Sequence, residues 1–210
     1  MIRILIADDH AIVRHGLKQI INESGEMRVV AEADSGSAAL RKLRETECDA
    51  VLLDISMPDM SGIDVLKQIH AEKPHLPILI LSIYPEDQYA MRLIKAGAAG
   101  YMTKESAPSE VVQALLRVAG GKKYISPAVA EILANEIGAD EERLPHQTLS
   151  DREYQIFLLL ASAQTVSEIA ETLSLSVKTV STYRGRILEK MHLSNNAELM
   201  RYAVDNQLSQ

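Results

Sequence analysis

The chain has 210 residues, 47% of them apolar and 24% charged, and a formal net charge of −7. That length allows one or two domains with cores of their own, and the acidic balance excludes a protein that coats nucleic acid by bulk charge, while leaving room for a local basic face. The lone Cys48, flanked by Glu47 and Asp49, excludes an internal disulfide, fits a reducing cytoplasm and makes a poor thiolate nucleophile.

No run approaches the roughly 20 apolar residues of a membrane span, and MIRILIADDH turns acidic too early for a signal peptide, so no membrane partner is expected. Over the first 120 residues, short apolar runs alternate with helix-period stretches. The runs Ile2–Ala7, Arg28–Glu32, Ala50–Leu53, Ile78–Leu81 and Gly100–Met102 read as buried strands. Ile12–Asn22, Ser37–Arg44, Ile63–Ala71, Asp87–Ala96 and Ser109–Ala119 read as the helices between them. Continuous apolar strands separated by helices predict an α/β fold: a five-stranded, doubly wound parallel sheet of flavodoxin-like order 2-1-3-4-5.

Such sheets bind ligands beyond the carboxyl ends of their strands, at the switch point between strands 1 and 3. There this chain puts Asp8 and Asp9 after strand 1, Asp54 after strand 3, Ser82 after strand 4 and Lys104 after strand 5. At ~5 Å and an effective dielectric of about 20, each like-charged carboxylate pair costs roughly 3 kcal/mol, so a positive partner is required. With no histidine or cysteine expected near the cluster, a hard divalent cation on oxygen ligands, Mg²⁺ first, suits it. Asp54, on the central strand with the turn-rich loop MPDMSG behind it, is the expected nucleophile for an aspartyl-phosphate. Asp9 is the expected direct metal ligand, Asp8 helps directly or through water, and the Ser56 carbonyl completes the protein ligands. Lys104 would neutralise the phosphoryl oxygens and Ser82 would donate one hydrogen bond. Asp59 and Asp64 read as turn or helix caps.

The strings ILIADDH, AVLLDISMPDMSG, LILS and AAGYMTKES resemble a response-regulator receiver domain over residues 1 to about 120. The resemblance implies that Asp54 accepts phosphate from a sensor histidine kinase, that Asp8, Asp9 and Ser56 carry Mg²⁺ with Asp54, and that Ser82 and Tyr101 form a switch pair. On phosphorylation Ser82 would move toward the phosphate and Tyr101 would turn inward. Many receivers have proline after the lysine, and this chain has Glu105.

Residues 121–145 read as a linker with a short helix, Ser126 and Pro127 being its N-cap and first residue, followed by the polar GADEERLPHQ. Residues 146–210 read as a small all-α unit of four helices. In LSDREY, Ser150 and Glu153 make a capping box, with Leu149 and Tyr154 placed for a hydrophobic staple. A helix capped by Thr165 or Ser167 comes next, then one capped by Ser176 and running from Val177 to about Met191. Two short helices with a tight turn, the second basic, read as helix-turn-helix.

At 100° per residue Ile187 and Met191 fall within about 20° of Val180, which sets the core side. Lys178, Thr182, Gly185 and Glu189 point away; Thr179, Ser181, Arg186 and Lys190 flank them, and Arg184 lies nearer the core. Glu189 apart, these together with Tyr183 are the candidate DNA-contacting positions, with Lys178, Arg184, Arg186 and Lys190 directed to phosphates. SEIAETLSLSVKTVSTYRGRILEKM resembles the LuxR-type DNA-binding domain. The resemblance places base-reading positions on Ser181, Thr182 and Gly185, which leaves a share of discrimination to DNA shape.

The two units together resemble a NarL/FixJ-type bacterial response regulator, with KTVSTYR similar to its GacA/BvgA-like branch. The expectation is a phosphorylation-controlled regulator, not an enzyme, that binds promoter double-stranded DNA as a homodimer, with RNA polymerase as a further partner. A phosphohydrolase of the haloacid-dehalogenase type would want a second acid two residues after Asp54, where Ser56 stands. A receiver that signals by contact alone would have no use for so complete a pocket.

Overall fold

The computed structural model describes residues 1–57, 59–106, 108–137 and 144–208. Pro58 of the turn-rich loop and linker residues 138–143 lie outside the described residues. The chain divides into two compact units, Met1–Gly138 and Ala139–Gln210.

The first unit alternates β1 (Ile2–Ala7), α1 (Ala11–Glu23), β2 (Met27–Ala33), α2 (Gly36–Glu45), β3 (Ala50–Asp54), α3 (Gly62–Glu72), β4 (Ile78–Ser82), α4 (Glu86–Lys95), β5 (Gly100–Thr103) and α5 (Pro108–Ala119). All strand pairs are parallel, in the order β2-β1-β3-β4-β5, as the sequence pattern predicts. Every residue of β3 and β4 is buried, which is why both strands read as unbroken apolar runs. Ile4, Ile6, Leu52, Leu79, Leu81 and Met102 pack with Leu17 and Ile21 of α1 and with Val111, Leu115 and Val118 of α5. The alternate residues Leu5, Val51, Leu53 and Ile80 are equally buried on the face covered by α2, α3 and α4.

Two contacts fix the loop behind Asp54. Gly62 donates its N–H to Ile55 O at 3.1 Å, and a Cβ there would stand 2.3 Å from Ile55 Cα and 2.5 Å from Asp54 O. Only glycine lets α3 begin this close to the strand end. Asp59 does cap a helix, but a remote one: its carboxylate accepts from Gly36 N at 2.8 Å and Ser37 N at 2.9 Å, at the start of α2. Burial pushes its pKa up, these N–H groups overcome that, and the net shift is downward.

The short helix expected inside the linker, α6 (Pro127–Ile137), belongs to the first unit and packs on α4. Ser126 caps it, accepting from Val129 N at 3.2 Å, and donates its hydroxyl to Glu86 Oε2 at 2.6 Å in the first turn of α4. Ahead of α6 the chain runs along β5: Tyr124 N donates to Ala99 O at 2.8 Å, and Tyr124 bridges Gly100.

The second unit comprises a 3₁₀ turn (Pro145–Thr148), α7 (Asp151–Ala161), α8 (Val166–Thr172), α9 (Val177–Lys190) and α10 (Asn196–Asp205). Ser150 accepts from Glu153 N while Glu153 accepts from Ser150 N at 2.8 Å, closing the expected capping box; Leu149 and Tyr154 are buried. Thr165, not Ser167, caps α8, and Ser176 caps α9 by accepting from Thr179 N at 3.0 Å. Val180, Ile187 and Met191 are buried as the helical wheel requires, and Ile156, Phe157, Leu160 and Leu199 of the same unit are buried as well. All four helices end in a left-handed residue that is not glycine: Ala163, Ser174, His192 and Gln207. After each, the next N–H bonds five residues back, as from Leu175 to Ala170 O at 2.8 Å, which satisfies a last-turn carbonyl.

Candidate functional site

Parallel strands in register deliver their last residues to one rim. β1 and β3 pair so that Ala7 faces Leu53, and β3 and β4 so that Asp54 faces Leu81, which brings Asp8, Asp54 and Ser82 side by side. Lys104 follows β5, its N–H held by Ser82 O at 2.7 Å. The Lys104 ammonium lies 2.7 Å from Asp54 Oδ2 and 2.8 Å from Asp8 Oδ2. The Oδ1 atoms turn the other way: Asp54 Oδ1 accepts from Ser56 N at 3.0 Å, and Asp8 Oδ1 from His10 N at 2.7 Å. Asp8 and Asp54 are each 1% exposed, and Ser82 is fully buried.

Electrostatics follow from that enclosure. Burial pushes the Asp54 pKa up, and Lys104 and the Ser56 N–H pull it back only in part. Burial works against the Lys104 ammonium, yet Asp54 and Asp8 outweigh it and its pKa rises. Tyr101 is buried under the rim with its hydroxyl donating to Tyr84 O at 2.7 Å; burial raises its phenol pKa against a hydrogen bond with Ser82. The Tyr101 ring therefore lies on the inward side. Ser82 Oγ accepts from Tyr84 N at 3.1 Å. No cis peptide bond occurs among the described residues, so the Lys104–Glu105 bond is trans.

A cation fits the donor set on the open side. Asp9 Oδ1 is shielded from water and accepts no well-directed hydrogen bond, although His10 Nδ1 stands 2.7 Å away. The sequence reading left one member out: His10, whose Nδ1 joins carboxylate oxygens of Asp8, Asp9 and Asp54, all four ligand atoms within 4.8 Å of one another. The string DDH puts His10 next to both acids in sequence, and the turn into α1 brings its ring over them. Ser56 enters through its N–H, and Gly62 holds the loop that contains it.

On α9 the expected DNA face is partly engaged within its own unit. Lys178, Ser181, Thr182, Gly185 and Arg186 are exposed, and Thr179 and Tyr183 are half-buried. Lys190, expected on phosphate, instead donates to buried Glu153 at 2.7 Å. Arg184 donates to Asn196 Oδ1 at 2.6 Å, which explains its place near the core side of the wheel. Thr182 Oγ1 donates back to Lys178 O at 2.9 Å, Thr179 Oγ1 meets Ser176 Oγ at 2.7 Å, and the Arg186 guanidinium lies 5.9 Å from the Tyr183 ring centre. Among the described residues no helix is long and apolar enough to cross a membrane.

Residues 4–116 match the response regulator receiver domain, and residues 147–203 match the luxR family of bacterial regulatory proteins. Response regulator GacA of Pseudomonas viridiflava is 40% identical over 205 residues, covering 97% of this chain and 96% of that protein. The chain belongs to the response-regulator family. Response regulator UvrY of Escherichia coli strain K12 is 37% identical over 97% of this chain and 94% of its own length. Among solved structures, this response regulator is similar to RcsB from Salmonella enterica serovar Typhimurium bound to promoter rprA in the presence of phosphomimetic BeF3⁻, with a TM-score of 0.67 and 26% identity over 96% of this chain and 97% of that one. Receiver plus LuxR-type helix-turn-helix is the NarL/FixJ arrangement, a family of transcriptional regulators.

Proposed function

We propose that this response regulator takes a phosphoryl group onto Asp54 from a sensor histidine kinase in the cytoplasm and, so charged, binds promoter DNA as a homodimer. The carrying observation is the Lys104 ammonium held between Asp8 and Asp54 at the ends of β1 and β3. An Asp54 carboxylate oxygen attacks the phosphorus of a phosphohistidine; the P–N bond breaks, the imidazole leaves with the electron pair and takes up a proton, and an acyl phosphate remains. Lys104 then faces the phosphoryl oxygens, and the Ser82 hydroxyl donates to one of them. A magnesium ion held by Asp8, Asp9, Asp54 and the Ser56 carbonyl would neutralise charge on the transferring group. Phosphorylation then acts by favouring the arrangement in which Ser82 meets the phosphoryl group and Tyr101 lies inward, a shift in population. α4 carries the consequence to α6 through Glu86 and Ser126.

The α9 face supplies the DNA surface: Lys178 and Arg186 address phosphates, and Ser181, Thr182 and Gly185 face the major groove. Functionally the receiver spans residues 1–120, the linker 121–145 and the DNA-binding domain 146–210, with RNA polymerase as a further partner of the bound dimer. The test is incubation of wild type and Asp54→Asn with acetyl phosphate and Mg²⁺, followed by intact mass and by binding to promoter fragments at two salt concentrations. Wild type gains one hydroxylamine-labile phosphoryl group and binds DNA more tightly. An Asp54→Asn chain that gains the same labile group overturns the assignment.

A further inference from the structure

His10 is the N-terminal flanking residue of α1, and its side chain does not cap that helix. Its main-chain N–H is spent on Asp8 Oδ1 at 2.7 Å, and this tight turn swings the ring back over the acids. Nδ1 then stands 2.7 Å from Asp9 Oδ1 and 3.5 Å from Asp8 Oδ1. Each of Asp8, Asp9, His10 and Asp54 offers one atom within 4.8 Å of the other three. Donors that share one ion at about 2.1 Å lie on the order of 3–4 Å apart, so closing this set takes small movements of side chains alone. The opposite rim of the cluster is occupied, since Lys104 covers the Oδ2 atoms of Asp8 and Asp54. Entry is therefore from the His10 side, where the ring is 61% exposed and displaces nothing when it adjusts.

We propose that His10 is a nitrogen ligand of the pocket cation and tilts the site from magnesium toward first-row divalent transition ions. This rests on reading the acid cluster as the cation site of phosphoryl transfer. An entering cation would take the place of the Nδ1–Asp9 contact, and a neutral ring protonated at Nε2 would offer it the Nδ1 lone pair. Magnesium gains little from imidazole, whereas manganese, cobalt and zinc gain progressively from exchanging a water for a nitrogen donor. A chain with the same three carboxylates and no imidazole at residue 10 would discriminate less between the two kinds of ion.

The full chain is titrated by calorimetry with Co²⁺ and with Mg²⁺, as wild type, His10→Gln and Asp9→Asn. Mg²⁺ competition isolates the Co²⁺ bound in the pocket from any held by the other histidines. His10→Gln lowers pocket Co²⁺ affinity at least tenfold and narrows the Co²⁺/Mg²⁺ affinity ratio by a similar factor. In wild type the His10 ring protons also take large paramagnetic shifts on Co²⁺ addition, which Mg²⁺ reverses. An unchanged ratio in His10→Gln, with His10 signals unmoved, overturns the nitrogen ligand while leaving an oxygen-only cation site standing. If Asp9→Asn alters neither ion's affinity, the acid cluster is not the cation site, and the underlying reading falls together with the inference.

Discussion

The pocket gathers Asp8, Asp9, Asp54, Ser82 and Lys104 from across the first unit, whereas the proposed DNA face draws its candidates from a single helix, α9. In the pocket every charged group leans on another: one ammonium serves two buried carboxylates, and each carboxylate uses its second oxygen on a main-chain N–H. On α9 the groups are mostly exposed and act one at a time. Coupled sites fail together, and dispersed surfaces lose strength in increments.

The sharpest way to break this contrast is Lys104→Ala. Removing the one cation shared by Asp8 and Asp54 should slow phosphoryl uptake from acetyl phosphate a hundredfold or more, read as the rate of acyl-phosphate formation. A loss below threefold would mean the pocket is as dispersed as the helix face.

Next in size is Glu153→Ala, the place where the second unit does resemble the pocket. Glu153 is 3% exposed, closes the capping box with Ser150 and accepts from Lys190. Its loss should cost about 2 kcal/mol, visible as a lower urea midpoint. Burial raises its pKa, but Lys190 and Ser150 more than reverse this, and the net shift is downward. A depressed folded pKa gives stability that is present above the ordinary value of 4.5 and lost as pH falls through the folded value. Glu153→Gln should therefore flatten the acid limb of the unfolding curve below about pH 4.5.

Lys178→Ala and Lys190→Ala then separate surface from scaffold. The first should weaken binding to all DNA sequences and lower the salt slope by about one unit. The second should lower stability more than it lowers that slope, because Lys190 is bonded to Glu153. The smallest effect belongs to Gly185→Ala. No atom lies within 4 Å of a Cβ placed there, so alanine should stabilise the helix by about 0.5–1 kcal/mol in urea titration.

The same contrast explains what was legible beforehand. Strand ends are marked by abrupt changes such as Leu53 to Asp54 and Leu81 to Ser82, and parallel topology forces them onto one rim, so the pocket could be read almost entirely. His10 escaped because its approach depends on the turn into α1, a matter of backbone geometry and not of pattern. On α9 the period of 3.6 identified the core residues Val180, Ile187 and Met191, yet it says nothing of partners on other helices. Lys190 meets a residue 37 positions away and Arg184 one 12 away, and neither pairing leaves a trace in local spacing. The α6 helix looked like linker because its anchor, Glu86, belongs to α4.

The strip of chain along β5 carries a practical consequence. β5 is the outermost strand, and Tyr124 covers its free side through the bond to Ala99 O and the bridge to Gly100. Shortening the protein to its first 120 residues would uncover those peptide groups, an invitation to edge-to-edge pairing between molecules. Self-association of so trimmed a fragment would then report a raw sheet margin and not the proposed dimer, whereas a fragment ending after α6 keeps that margin sealed.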